Sequence, residues 1–226
     1  FLKLTPTIAA LTTLESEHLD TYKDLDDIKG AFIEFANKVP FYGFVTLCLD
    51  EPALQDIIPH INKKIITYGL NAQSDVRATD ITHNGFSSTY KVKYFGKDLG
   101  EITLKIPGKH NINNSLVAVV IGTELGIDFK IIKSALESFS GVYRRFEVKY
   151  NKEILLIDDY AHHPTASAAT LKGIRDVWDR RLIVVFQPHT YSRTIALLSD
   201  FGRAFTNADI VIPADIYASA REHDCM

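Results

Sequence analysis

The chain has 226 residues, of which 25 are basic and 28 are acidic, and it is 46% hydrophobic with a formal net charge of -3. These values are typical of a globular protein with one large domain or two ordinary ones. They give no reason to expect nucleic-acid binding, which normally requires a strongly basic surface. The longest apolar runs, such as residues 116–121 and 182–186, are too short to cross a bilayer.

The first part of the chain mixes strand and helix patterns. Residues 24–39 have the spacing of an amphipathic helix, with Leu25, Ile28 and Phe32 on one face and Pro40 at the end. Residues 75–106 alternate in the manner of β structure, with turn signals at 84–85 and 96–98. The other predicted elements are strands at 8–11, 44–49 and 64–68 and helices at 52–59, 111–125 and 129–139.

The second part has a different rhythm. Residues 146–150 and 153–157 predict a hairpin, and the chain then alternates between helix and strand. Such alternation is the signature of a parallel sheet with right-handed crossovers. We therefore predict a boundary near Val142, with domains at 1–142 and 143–226. The remaining predicted elements are helices at 165–178 and 195–205 and strands at 182–186 and 209–212.

Two polar clusters follow strands of the second domain, at residues 158–163 and 187–193. Ligands of parallel sheets bind beyond the carboxyl ends of the strands, so both clusters should lie at one edge of one sheet. His189 and Arg193, with Asp159 nearby, would suit an anionic or zwitterionic ligand. The alternative is that each cluster only ends a strand and caps the next helix.

A third candidate opens the helix at residue 111. Asn111 and Asn114 are three residues apart and share a face, and His110 lies at the N-terminal end, where the helix dipole favours anions. An Asn side chain offers both the donor and the acceptor that the edge of adenine requires. Plain N-capping is the alternative interpretation.

Two further groups carry charge. Glu15, His18 and Asp20 follow the first strand. Oxygen ligands with one imidazole would suit Mg²⁺ or Mn²⁺ beside phosphate. The alternative is that these residues belong to a solvated loop. Arg144 and Arg145 lie at the predicted boundary, where they would reach phosphates or pair with surface carboxylates.

The ends of the chain and its two cysteines carry further information. The chain opens at Phe1 without an initiator Met and stops soon after a predicted strand, so we expect it to be a piece of a longer polypeptide. Cys48 and Cys225 have no metal-ligand spacing, and no signal peptide is recognisable. A reduced, cytoplasmic compartment is therefore expected.

Taken together, these segments resemble the Mur ligase family, and in particular its L-alanine-adding members. The resemblance covers nearly the whole chain, and its most specific runs are 158–165 and 186–194. The matching stretches are 11–22 (LTTLESEHLDTY), 110–114 (HNINN), 141–147 (GVYRRFE), 158–165 (DDYAHHPT) and 186–194 (FQPHTYSRT).

The resemblance implies an α/β fold: part of a central ATPase domain followed by part of a Rossmann-like, parallel-sheet C-terminal domain. It implies ATP-driven amide synthesis in peptidoglycan precursor formation, with ATP, UDP-N-acetylmuramate and L-alanine as substrates and Mg²⁺ as cofactor. The lactyl carboxylate of the sugar would become an acyl phosphate, which the alanine amine then attacks. Neither nucleic-acid binding nor membrane insertion is implied.

The resemblance also implies roles for single residues. His18 matches the metal-site histidine, and Thr190 stands where some relatives carry Arg, which would leave the amino-acid carboxylate more dependent on Arg193. The residues that match the ATP side are His110, Asn111, Asn114, Arg145 and Asp159. The residues that match the region of L-alanine and the reacting carboxylate are Tyr160, His163, His189 and Arg193. Of these, His163, His189 and Arg193 would be catalytic.

One family feature is missing from the 226 residues. No segment has the form G-x-x-x-x-G-K-[ST] of a phosphate-binding loop, so we expect this chain to be inactive by itself. The alternatives are a peptide-recycling member of the family and a binding module that has lost catalysis. A metal hydrolase built on Asp158, Asp159, His162 and His163 lacks a second set of ligands.

Overall fold

The computed structural model describes residues 1–16 and 21–218, which form two compact units. The first unit comprises Phe1–Thr82, Ser88–Leu104 and His110–Phe139. The second comprises the chain from Ser140 onward together with His83–Ser87 and Lys105–Lys109. The domain boundary at 142/143 stays a prediction. None of the helices in the described ranges is long and apolar enough to span a membrane.

The first unit is built on a six-stranded sheet in the order β1-β2-β3-β4-β5-β6. The first four strands pair in parallel and β5 pairs with β6 in antiparallel register. The strands are β1 Ile8–Leu11, β2 Phe44–Cys48, β3 Ile65–Gly69, β4 Val76–Asn84, β5 Ser87–Tyr94 and β6 Lys97–Leu104. The helices are α1 Leu25–Asn37, α2 Pro52–Ile57 with a 3₁₀ turn at Ile58–His60, α3 Lys109–Glu124 and α4 Phe129–Ser138.

The core of this unit explains why the parallel part forms. Every residue of β2 is buried, as expected for a strand covered on both faces. Helix α3 contributes Ile112, Leu116 and Val119, all fully buried. The start of α1 also has a local cause. The side chain of Asp24 caps this helix by accepting a hydrogen bond from the Asp27 N–H, at 3.0 Å. The predicted mixture of strands and helices in this part is confirmed.

One glycine shows how tightly the segments next to β1, α1 and β2 pack. A Cβ at Gly43 would lie 1.9 Å from the carbonyl oxygen of Thr7 and 2.8 Å from Val39 Cγ1. Gly43→Ala should therefore lower the free energy of unfolding by about 2–4 kcal/mol, measured by urea denaturation. Gly30 of α1 is the matched control: a Cβ there meets nothing within 4 Å, so Gly30→Ala should raise the same quantity by about 0.5–1 kcal/mol. Equal effects of the two changes would contradict this packing.

The second unit contains the predicted hairpin and the later alternating elements. Strands β7 Glu147–Asn151 and β8 Leu155–Asp158 pair in antiparallel fashion, and β9 Ile183–Phe186 pairs in parallel with β10 Ile210–Pro213. The helices are α5 Pro164–Arg175, α6 Tyr191–Ala196 and α7 Leu198–Ala204. The α/β fold class is confirmed.

Two details of the prediction were wrong. In the described residues β8 pairs with β7 and β9 pairs with β10, in two separate ladders rather than in one parallel sheet. The alternation of strand and helix along the chain indicates the direction of β8 and β9, but it does not determine that their edges pair. The predicted helix at 195–205 is two helices that begin at Tyr191, because the side chain of Thr190 caps α6 by accepting from the Arg193 N–H.

Candidate functional site

The predicted nucleotide residues lie in the first two turns of α3. His110 and Asn114 are exposed and Asn111 is half-buried. Ile112 and Leu116 face the core, so the helix turns Asn114 away from the sheet. The geometry is compatible with a ligand beside this face, and the role of the three residues stays a prediction.

A polar contact not anticipated from the sequence lies next to that face. The carboxylate of Asp50, two residues beyond β2, accepts a hydrogen bond from Asn113 Nδ2 at 2.9 Å. It also accepts from the backbone N–H groups of Leu70 and Asn71, both at 2.8 Å. The only sequence signal was an acidic residue just beyond a buried parallel strand.

The same edge of the sheet gathers further carboxylates. Burial, followed by the charges of Glu15 and Asp50, raises the pKa of Glu51 above its ordinary value. Glu15 therefore lies within electrostatic reach of Glu51. His18, the predicted metal ligand, lies outside the described residues, as does Asp20. Within residues 1–16 and 21–218, no group of three or more His, Cys, Asp or Glu side chains is arranged to hold a metal ion.

In the second unit, the loops that follow β8, β9 and β10 bring the rings of two tyrosines and two histidines together, and we call these four rings the ring series. The rings of Tyr160 and His162, beyond β8, lie 4.9 Å apart. His162 lies 6.2 Å from His189, beyond β9, and His189 stacks on Tyr217, beyond β10, at 5.6 Å and 16°. The two polar clusters thus meet, as predicted, although their strands do not pair.

Backbone hydrogen bonds hold this ring series together. The Tyr217 N–H donates to the carbonyl of Pro188 at 2.8 Å, and the Thr190 N–H donates to the carbonyl of Tyr217 at 2.9 Å. His162 Nδ1 lies 2.8 Å from the carbonyl oxygen of Tyr160. A carbonyl only accepts, so this nitrogen carries the proton, and Nε2 is the nitrogen with a lone pair in neutral His162.

The structure separates the two neighbouring histidines of this loop. His162 is in ring contact with His189. His163 is the N-cap residue of α5, and both of its ring nitrogens are shielded from solvent. The catalytic role predicted for His163 stays a prediction, and Tyr217 and His162 are additions that the sequence did not single out for a role at this site.

Arg144 and Arg145 lie against Tyr160. Their guanidinium carbons are 5.2 and 5.6 Å from the centre of the Tyr160 ring, within cation–π range. Arg145 also lines a cavity of about 470 Å³ together with Lys105, Phe86 and Phe146. Tyr143 and the acidic Glu147 line it as well. Two cationic, one anionic and three aromatic side chains suit a ligand with a planar group and mixed polar substituents.

Asp159 connects three segments of the second unit. Its carboxylate accepts from the N–H of Ala161 at 2.8 Å, the N–H of Phe146 at 3.1 Å and the hydroxyl of Thr170 at 3.2 Å. Phe146 has a φ of 50°, which is uncommon for a residue with a side chain. Asp159 therefore holds the 144–146 segment against the loop that carries Tyr160.

Arg193 has the clearest sign of an absent partner. Its Nη1 is shielded from solvent and has no hydrogen-bond partner in the described part of the chain. A buried guanidinium N–H without an acceptor is costly, so such groups normally meet an anion or a carbonyl. Arg193 lies in α6, directly after the loop that carries His189. A carboxylate ligand would satisfy it.

Comparison with known proteins agrees with the family resemblance. The sequence profile of the Mur ligase middle domain matches residues 1–122, and that of the Mur ligase glutamate ligase domain matches residues 144–223. A UDP-N-acetylmuramate–L-alanine ligase of Geotalea uraniireducens is 50% identical over 223 residues, which are 98% of this chain and 49% of that protein. One from Persephonella marina is 50% identical over 218 residues, which are 96% of this chain and 47% of that protein.

Solved structures give the same picture. UDP-N-acetylmuramate–alanine ligase from Thermotoga maritima aligns with a TM-score of 0.76 at 25% identity, over 96% of this chain and 47% of that one. A murein peptide ligase from Psychrobacter arcticus aligns with a TM-score of 0.65 at 27% identity, over 94% and 44%. The chain thus spans about half the length of the curated relatives it matches. Since the middle-domain profile covers more than half of the 226 residues, the chain belongs to the Mur ligase family.

Proposed function

We propose that this chain is the part of a UDP-N-acetylmuramate–L-alanine ligase that binds the adenine nucleoside and L-alanine. The ligase would join L-alanine to the lactyl carboxylate of UDP-N-acetylmuramate at the expense of ATP. This is a step of peptidoglycan precursor synthesis, and we place it in the cytoplasm. The similarity to alanine ligases at 50% identity supports this choice of substrate.

The observation that carries the proposal is the shielded Nη1 of Arg193, in the helix that follows one loop of the ring series of Tyr160, His162, His189 and Tyr217. Arg193 offers a shielded N–H without a protein acceptor in the described part of the chain, directly after the loop that bears His189. A guanidinium fork and nearby imidazoles suit the carboxylate and the ammonium of a small amino acid. The rings would cover one side of such a ligand.

These side chains would act on the second half of the reaction. The lactyl carboxylate takes the γ-phosphoryl group of ATP and releases ADP, which gives an acyl phosphate. Arg193 holds the alanine carboxylate, and His189 accepts a proton from the alanine ammonium, so that the neutral amine attacks the acyl carbon. Phosphate leaves as the amide forms. His163 stays a candidate for a second proton-transfer group.

ATP and Mg²⁺ would bind mainly through groups of the first unit. Asn111 and Asn114, with His110, would contact the adenine nucleoside. The nucleotide role of Arg145 and Asp159, in the second unit, stays a prediction. Glu15 and Glu51 repel each other at the carboxyl edge of the sheet, and a divalent cation beside them would offset that repulsion. His18, which lies outside the described residues, stays the predicted metal ligand. The metal would neutralise charge on the transferring phosphoryl group.

A second candidate is a ligase that attaches an intact peptide to the same sugar. The likeness to a murein peptide ligase, at 27% identity, is the observation that favours this candidate. A peptide would still present a free amine to the ring series, but its first residue would have no free carboxylate for Arg193. Substrate choice therefore discriminates between the two.

The test is an assay of phosphate release by the full-length ligase to which we assign this chain. Release should require ATP, Mg²⁺, UDP-N-acetylmuramate and L-alanine together, and an L-alanyl peptide should not replace L-alanine. Turnover with the peptide alone would favour the second candidate. Binding of ATP and alanine without turnover would indicate a binding module instead. The 226-residue chain by itself should release no phosphate, because it has no loop of the form that cradles the β- and γ-phosphates.

A further inference from the structure

One carboxylate joins the ends of two parallel strands to the start of α3. Asp50 follows β2 by two residues, and its half-buried side chain accepts three hydrogen bonds. Two come from the backbone of Leu70 and Asn71, just beyond β3, at 2.8 Å each. The third comes from Asn113 Nδ2 in α3, at 2.9 Å. Hydrogen bonds to an ionised acceptor are about twice as strong as neutral ones.

The loop beyond β3 is shaped to admit this carboxylate. Gly69 has a φ of +154°, and a Cβ there would lie 2.7 Å from Asp50 Oδ1. A side chain at this position would therefore displace Asp50 from the backbone N–H groups that it contacts. The close approach of Asp50 to the loop depends on glycine.

The link to Asn113 helps to fix the rotation of α3. Ile112 and Leu116 bury that helix in the core, but the hydrophobic effect is not itself directional. A hydrogen bond is directional. A second directional contact joins the hydroxyls of Ser115 and Tyr90, which are 2.5 Å apart. Asn113 lies between Asn111 and Asn114 in sequence, so a rotation that breaks its bond to Asp50 also moves those two side chains.

The Asn113 amide has a second, longer contact beside Asp50. Asn113 Nδ2 also lies 3.6 Å from Cys48 Sγ. Burial raises the pKa of the Cys48 thiol to about 11, so the sulfur stays neutral at physiological pH. Asn113 Oδ1 is shielded from solvent and has no hydrogen-bond partner among residues 1–16 and 21–218. The amide is therefore held by its donor side only, within those residues.

We propose that Asp50 is a positioning residue for the nucleotide. Through Asn113 it holds the first two turns of α3 in the rotation that presents Asn111 and Asn114 to the adenine nucleoside. This inference rests on the proposed function, in which ATP binds at this end of α3. Asp50 touches no substrate, and its effect reaches the nucleotide only through the helix.

The test exchanges the two partners in the full-length ligase. Asn113→Asp places two carboxylates in contact and so breaks the link. Asp50→Asn keeps one oxygen that can still accept from Asn113 and Leu70 and turns its N–H towards the N–H of Asn71, so it weakens the link. Asn113→Asp should raise the KM for ATP about tenfold and Asp50→Asn should raise it less, while kcat and the KM for L-alanine change less than about threefold in both. The double variant that combines D50N with N113D again sets an amide against a carboxylate. Its KM for ATP should therefore fall below that of N113D alone.

The matched control is Asp75. Its carboxylate accepts from the N–H and the hydroxyl of Thr67, both at 2.8 Å. It pins β3 in a comparable way, but these bonds do not reach the start of α3. Asp75→Asn should lower the melting temperature and leave the KM for ATP unchanged.

Two outcomes would overturn the inference. If the single variants bind ATP as the wild type does, Asp50 does not position the nucleotide. The link is only structural if the single variants lose kcat in proportion to their loss of melting temperature, and if the double variant does not restore the KM for ATP. A wild-type ligase without ATP-dependent turnover would instead sink the proposed function, and this inference with it.

Discussion

Arg193→Ala should raise the KM for L-alanine at least about tenfold in the full-length ligase, with a far smaller change in the KM for ATP. The reason is the Nη1 of Arg193, which is shielded from solvent and has no hydrogen-bond partner in the described part of the chain. In the proposed site a carboxylate of the amino acid satisfies it. Initial rates at varied L-alanine and varied ATP measure the two constants separately.

Two further variants sharpen that experiment. Arg193→Lys keeps the charge but loses the bidentate fork, so its KM for L-alanine should be intermediate. Arg203→Ala removes an exposed arginine from α7 and should change neither constant. Equal losses for both substrates in Arg193→Ala would mean that Arg193 supports the fold of this unit and does not hold the amino acid.

The sequence predicted the parts of this site that depend on local pattern. Residues 158–163 and 187–193 were expected at one place because each follows a strand, and His162 and His189 do lie in ring contact. The expectation succeeded although its premise was incomplete, since β8 and β9 lie in separate ladders. The place of each loop was set by the direction of the strand before it, more than by the strand with which that strand pairs.

Contacts between distant residues could not be predicted in this way. Tyr217 stacks on His189 across 28 positions, and Asn113 bonds to Asp50 across 63. Neither pair has a spacing motif, because each depends on loop conformations that are set by the whole unit. The early start of α6 was missed for a smaller reason: Thr190 is a common N-cap residue, but its φ of 69° is rare for one.

Asp159→Ala should produce the largest combined loss of stability and activity. The change leaves the N–H groups of Phe146 and Ala161 and the hydroxyl of Thr170 without their acceptor. We expect the free energy of unfolding to fall by about 2–4 kcal/mol, since each buried donor without a partner costs about 1–3 kcal/mol and solvent reaches some of them. Urea denaturation followed by the fluorescence of Trp178, which stacks on Phe146, measures it.

The same change should reduce kcat/KM at least about a hundredfold, because an error of about 1 Å in placing reacting groups costs this much. Asp159 holds the strained Phe146 segment, and that segment carries Arg145 against Tyr160. The neighbouring Asp158 is the matched control for stability. Its ion pair with Arg144, at 3.6 Å, lies between side chains that are 36% and 49% exposed, so Asp158→Ala should cost less than about 1 kcal/mol. Similar losses of stability at both positions would show that negative charge in this loop matters, and not the three hydrogen bonds of Asp159.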